Sequence, residues 1–249
     1  MTEMVDLENH GDIAVLTIDN PPVNALSHGV RLGLQLGLAA IAQDDSVAGV
    51  VVVCAGRTFI AGADITEFGK PIEAPWILEV LDAMEASTKP IVAAIHGTAL
   101  GGGLETALAC HYRVAVAEAK FGLPEVKLGL IPGAGGTQRL PRIVGPERAL
   151  DMIVSGVPMN ADEALSAGLI ERIVDGDLLK GAVAFAQEVV AEKRPLLKVR
   201  DRDDKVVPFR GNDELFSTFR SKRARRIRGF EAPEAGIKAV EAAVNLPFD

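Results

Sequence analysis

Two glutamates, Glu105 and Glu125, and the glycine-bearing loops ahead of them are the residues of this 249-residue chain whose types and spacing can carry chemistry. A strand-like run, Ile91 to His96, leads through Ala99-Leu100-Gly101-Gly102-Gly103 into a helical stretch with Glu105 near its start. Peptide N–H groups at a helix start lack carbonyl partners and lie at the positive end of the dipole, so they can hold developing negative charge. An earlier loop, Phe59-Ile60-Ala61-Gly62-Ala63-Asp64-Ile65, follows a valine-rich run and can present the Ala63 N–H to the same point. Two such donors make an oxyanion hole, each worth on the order of 3–4 kcal/mol of transition-state stabilisation. Glu125 follows Phe121-Gly122-Leu123-Pro124, an apolar setting that disfavours the charged carboxylate and suits it to proton transfer near neutral pH. On spacing alone, the same glycines fit tight turns or close helix packing equally well, and the ordinary fate of any one of 34 acidic residues is a solvated surface.

Other chemistries fit less well. Gly133-Ala134-Gly135-Gly136 resembles part of a dinucleotide fingerprint, yet it lacks the third glycine at the right spacing and follows Pro132 rather than a strand. There is no GxxxxGK[ST] phosphate loop. His10, His28, His96 and His111 are scattered, with no CxxC, HxxxH or HExxH spacing, so no metal site is expected. His96 and His111 read as structural, and Cys54 and Cys110, each ending an apolar run, as small buried thiols rather than a disulfide. Thirteen of the 26 Lys and Arg fall in residues 193–228 beside five Asp and Glu, so that stretch carries +8 and the remainder −16. An acidic body argues against nucleic acid as a partner. The longest apolar run, Val47 to Ala55, is too short to cross a bilayer, and the acidic start has no hydrophobic signal core, so a soluble cytoplasmic protein is expected.

The elements that must position the two glutamates alternate between strand and helix, which predicts an α/β architecture. Ile13 to Ile18 reads as a strand, and Ser27 caps a helix carrying Val30, Leu34 and Leu38. Val47 to Cys54 reads as a strand buried on both faces, Pro75 to Ser87 as a helix, Pro90 to His96 as a strand, and Tyr112 to Ala117 as another. Helices are expected from Pro146 to Val154, from Ala161 to Ala167 behind Asn160, from Leu178 to Lys193, and from Ala232 to Pro247. Poor periodicity and high charge make Arg194 to Gly229 read as a linker or solvated segment.

Five stretches go further. Asn24-Ala25-Leu26, FIAGADI at 59–65, KPIVAAIHGTALGGGLETALAC at 89–110, AKFGLPEVKLGLIPGAGGTQRLPRIVG at 119–145 and NADEALSAGLIERIV at 160–174 resemble the crotonase superfamily, in particular the enoyl-CoA hydratases, in order and with near-family spacing. The resemblance covers roughly residues 10–190 and implies a spiral of repeated ββα units with C-terminal helices, holding acyl-CoA between the first and second glycine loops. By motif position it makes Ala63 and Gly102 the oxyanion hole and Glu105 and Glu125 the acid/base pair of a hydratase that adds water to trans-2-enoyl-CoA in fatty-acid β-oxidation. Double-bond isomerisation in the same site is the alternative activity. CoA contacts are implied at Ala25, Leu26, Ala61, Asp64, Ile65 and Gly133; Arg57, just before the first loop, is a candidate for a CoA phosphate or a solvated arginine. The acyl-CoA is substrate, and no cofactor is implied.

Cys110-His111-Tyr112-Arg113 and the tail APEAGIKAVEAAVNLPFD resemble the hydratase/isomerase half of peroxisomal-type bifunctional enzymes, in which an NAD-dependent dehydrogenase follows. That likeness divides the chain into a catalytic core at 1–192 and a basic linker with a helical segment at 193–249, cut short at Asp249. It leaves three further expectations: a homo-oligomer such as a trimer, an absent dehydrogenase domain, or an acyl-CoA binding module that needs that domain to turn over. Arg220 to Arg228 are read as facing CoA phosphates, an acidic neighbour or solvent.

Overall fold

A computed structural model of the chain describes residues 2–71 and 73–248; Asp249, on which the expected boundary turns, lies outside them. The framework is a six-stranded sheet in the order β1 (Val5–His10), β2 (Ile13–Ile18), β3 (Gly49–Cys54), β4 (Ile91–Ile95), β6 (Tyr112–Ala115) and β9 (Arg172–Ile173). From β2 onward the pairings are parallel, as crossovers through helices require. β1 is a strand the sequence reading did not contain. It folds back antiparallel on β2 through Gly11, its alternation of Val5 and Leu7 with Asp6 and Glu8 cut short by Asn9 and His10.

The unbroken valine run of β3 follows from burial on both faces. Val50, Val52 and Cys54 enter one apolar core with Leu34 and Leu38 of α1 (His28–Ala42), which Ser27 caps as expected. Val51 and Val53 enter a second core under Phe185 and Val189 of α7 (Leu178–Ala191). A three-stranded sheet, β5 (Thr98–Leu100), β7 (Lys120–Gly122) and β8 (Met159–Asn160), carries the segments that matter for the site. β5 runs straight into α3 (Gly102–Ala109), and β7 leads into a 3₁₀ turn, Pro124–Leu128. The remaining helices are α2 (Ile77–Glu85), α4 (Gly136–Val144), α5 (Pro146–Ser155), α6 (Ala161–Ala167), α8 (Asp213–Ile227) and α9 (Glu231–Asn245). Among the described residues, no helix is long and apolar enough to cross a membrane.

The segment read as a linker is largely helical. α8 runs for 15 residues, capped by Asn212, with Phe216 buried and Leu215, Phe219 and Ile227 against the main core. Val199 and Val206 also reach that core, and α9 adds Ile237, Val240 and Val244. Five Lys and Arg on α8 hid this apolar stripe from a reading based on charge. Two of the arginines expected to face phosphate or a neighbour are engaged within the chain: Arg220 pairs with Glu234 and Glu241 of α9, and Arg223 pairs with Asp151 of α5.

Truncation of the α8 anchor tests its packing. Phe216→Ala should lower the unfolding free energy in urea by about 3–5 kcal/mol, the cost of a large buried aromatic cavity; a loss near zero would return the segment to the status of a linker.

Candidate active site

The two glycine loops meet because their backbones pair. The Leu100 N–H donates to the Ile60 carbonyl (3.1 Å), and Ala61 bridges Leu100 in a parallel ladder. Leu26 in turn bridges Ala63, its N–H donating to the Gly62 carbonyl at 3.0 Å. This proximity needs glycine at one position above all: a Cβ on Gly103 would lie 2.0 Å from the Ile60 carbonyl oxygen. α3 can therefore start flush against the first loop. A Cβ built on Gly102 would lie 3.7 Å from the Ala63 nitrogen, so the two peptide groups named from sequence are neighbours. Gly102 is the first residue of α3, where an N–H has no helical carbonyl to serve.

Glu105 sits one turn further on and is 3% exposed. Its Oε1 accepts the N–H groups of Ala134 and Gly136, both at 2.7 Å, at the start of α4. Gly136 is required here, because a Cβ would come within 2.9 Å of that same oxygen. Burial pushes the Glu105 carboxyl up, while the two amides and the Arg139 charge pull it back toward the ionised form.

Glu125 lies on the 3₁₀ turn, and one of its oxygens approaches the Gly101 backbone so closely that a Cβ there would stand 3.0 Å from Oε1. Its other oxygen, Oε2, is shielded from solvent and has no hydrogen-bond partner among the described residues. An unpartnered buried polar atom is costly, and a site that must receive a ligand proton or hydroxyl is where such an atom is tolerated. Burial, with a smaller push from the Glu105 charge, raises the Glu125 carboxyl to about 7. The desolvation expected from its Phe-Gly-Leu-Pro approach is therefore present.

Both carboxylates, Ala63 and Gly102 line one cavity of about 670 Å³ with mostly apolar walls. Leu26, Ala61, Asp64, Ile65 and Gly133 line it as well. Ala25 and Arg57 do not stand among its lining residues. The Ala25 carbonyl accepts from Asn20 Nδ2 and the Ser27 N–H, both at 2.8 Å, and Arg57 is exposed on the turn after β3. The sequence reading missed Arg31, Glu67, Trp76, Leu130 and Ile131, which also line the cavity. Arg31 pairs with Glu67 at 2.7 Å and donates to the Pro75 and Leu26 carbonyls. Its signal was available, since it lies three and seven residues ahead of Leu34 and Leu38 on the buried stripe of α1. His111 is buried, accepts the Ile91 N–H at 3.0 Å, and is held neutral by burial, which lowers it to about 4. Cys54 and Cys110 are buried free thiols, both pushed up by desolvation.

The sequence matches the family described as enoyl-CoA hydratase/isomerase over residues 8–203. A probable enoyl-CoA hydratase of Bacillus subtilis (strain 168) is 46% identical over 192 residues, covering 74% of each chain. The human peroxisomal bifunctional enzyme is 43% identical over 241 residues, 96% of this chain; the chain spans about a third of that relative's length. Among solved structures, Pseudomonas aeruginosa DspI superposes with a TM-score of 0.72 at 33% identity, covering 96% of this chain and 94% of that one. An enoyl-CoA hydratase from Bacillus anthracis superposes with a TM-score of 0.70 at 28% identity, covering 97% and 89%.

The buried Glu125 carboxyl has a consequence for stability. Between its ordinary 4.5 and about 7, the folded protein keeps a proton that the unfolded chain releases, so stability falls as pH rises through that window. Glu125→Gln removes this dependence. Urea unfolding at pH 5, 6 and 7.5 should show a shallower decline for the variant, and parallel profiles would contradict the raised pKa.

Proposed function

We propose that this chain, which belongs to the enoyl-CoA hydratase/isomerase family, hydrates trans-2-enoyl-CoA thioesters to 3-hydroxyacyl-CoA, the chemistry of fatty-acid β-oxidation. One observation carries the reading: two carboxyl groups held differently face one apolar cavity beside paired backbone amides. The mechanism follows from what each group can do. The Ala63 and Gly102 N–H groups take the thioester oxygen and draw electron density from Cβ. Glu105, whose Oε1 is fixed by two amides, orients a water and accepts its proton as the oxygen bonds to Cβ. The electron pair moves to the thioester oxygen as an enolate, which the two amides stabilise. Glu125, whose raised carboxyl holds a proton near neutral pH, then protonates Cα, and a proton shift from Glu105 back to Glu125 resets the pair. Because the two groups interact, the observed pH midpoints belong to the pair.

A second reading keeps the same pocket. Moving a double bond from C3 to C2 takes a proton from C2 and returns it at C4, which a single group near neutrality can do, and Glu125 has that property. Under this reading Glu105 is dispensable.

Hydration of crotonyl-CoA, followed by loss of the conjugated thioester absorbance, decides between them. Wild type should turn over, and Glu125→Gln and Glu105→Gln should each lose roughly 10²- to 10⁴-fold in kcat. No wild-type turnover, or full activity in Glu125→Gln, would refute the hydratase reading. Conversion of 3-enoyl-CoA that survives Glu105→Gln would favour the isomerase.

A further inference from the structure

Behind Glu105, on the side away from the cavity, lies a charged cluster that the proposed reaction does not use. Arg139 of α4 is buried, with 1% of its side chain exposed. Its guanidinium donates to Glu85 Oε2 of α2 at 2.8 Å, stands 3.5 Å from Asp82, and donates to the Ala134 carbonyl at 3.3 Å. The Ala134 residue thus has its carbonyl held by Arg139 and its N–H given to Glu105. The loop also fits closely around the arginine, since a Cβ on Gly135 would lie 2.4 Å from Nη1. Glu85 is held by a second residue as well, accepting the Arg200 N–H at 2.9 Å. The Phe248 ring stacks against Arg139, Arg142 and Arg200 at 4.8–5.2 Å, so the residues after 193 close the cluster.

We infer that Arg139 is the positioning residue for Glu105, acting through the 134–136 backbone: anchored on Glu85, it sets the peptide groups that aim the carboxylate. The geometry accounts for an expense that packing alone leaves unexplained, because burying a charged pair behind an apolar pocket is seldom stabilising against well-packed apolar residues. The groups facing Arg139 are Asp82 and Glu85 from α2, Glu105 from α3, Arg142 from α4 and Arg200 from the 3₁₀ turn Val199–Asp201; Glu105 itself faces Arg139 and Glu125. The Arg139 charge opposes the upward push of burial on Glu105, so its removal must raise that carboxyl further. The kinetic half of this role rests on Glu105 handling the attacking water; the electrostatic half does not.

The experiment therefore reads both. Carbon-13 NMR of labelled glutamate, with Glu105 assigned by the signal lost in Glu105→Gln, gives its titration midpoint, and crotonyl-CoA kinetics give kcat and KM. Arg139→Gln should raise the Glu105 midpoint and cut kcat roughly 10- to 100-fold with KM within about twofold, the scale of a small misplacement of a reacting group. Arg139→Lys should bring the midpoint back toward wild type. Glu85→Gln, which removes a negative charge beyond Arg139, should not raise it. A merely structural arginine would give the same displacement in Arg139→Gln and Glu85→Gln. Should Arg139→Gln fail to fold, the neutral pair Glu85→Gln/Arg139→Gln carries the same expectation of a raised midpoint. A Glu105 midpoint unmoved in Arg139→Gln and in the neutral pair, or raised equally by Glu85→Gln, overturns the inference. Wild type that turns over no crotonyl-CoA, with midpoints that move as stated, leaves the Arg139 role standing and removes the hydratase reading instead.

Discussion

Glu105 is a carboxylate taken out of water and held by peptide N–H groups. That constraint organises much of the molecule. A buried carboxylate needs strong, fixed hydrogen bonds, and two amides at the first turn of a helix supply them with the favourable sense of the helix dipole. Ala134 and Gly136 can do this only if α4 begins against α3, where a Cβ on Gly136 would come within 2.9 Å of Glu105 Oε1. A separate close approach, of α3 to the first loop where Gly103 admits the Ile60 carbonyl, brings Ala63 beside Gly102. Two glycine contacts therefore bring the held Glu105 carboxylate and the paired amides side by side.

The two carboxyl groups differ because their partners differ. Glu105 is raised by its desolvation, with two donors and a nearby cation set against that rise; Glu125 has an apolar setting, an unpartnered Oε2 and the Glu105 charge, and rises to about 7. Burial raises both carboxyls, but only Glu105 has donors and a cation opposing that push. The apolar walls of the cavity matter as much as the glutamates, since water there would erase the difference.

The segment after residue 193 belongs to this arrangement. Val199, Val206, Phe216 and the buried face of α9 extend the main core, and Arg200 and Phe248 reach the cluster that holds Arg139. A region whose charge read as solvated instead braces the back of the site. Long basic side chains lay their aliphatic stems along apolar surface and find carboxylates on α5 and α9, as Arg220 and Arg223 do.

The sequence by itself determined the alternation of strand and helix, the Ser27, Asn160 and Gly168 helix boundaries and the doubly buried β3, while both glutamates and both glycine loops were singled out as candidates by residue type and chosen by a family resemblance. These are local properties, or motifs whose chemistry is written in residue type and spacing. The shift of Glu125 was also legible, because its apolar neighbours adjoin it in the chain. Tertiary structure alone decided that Glu105 meets Ala134 and Gly136 some thirty residues away, and that the Arg31–Glu67 pair joins the cavity wall. It also decided that α8 is a packed helix and that Ala25 and Arg57 stand outside the cavity wall. The physical reason is the same in each case: hydrogen-bond partners and burial are fixed by which distant backbones can approach, and that depends on the glycine contacts and the shared core rather than on any one segment's pattern.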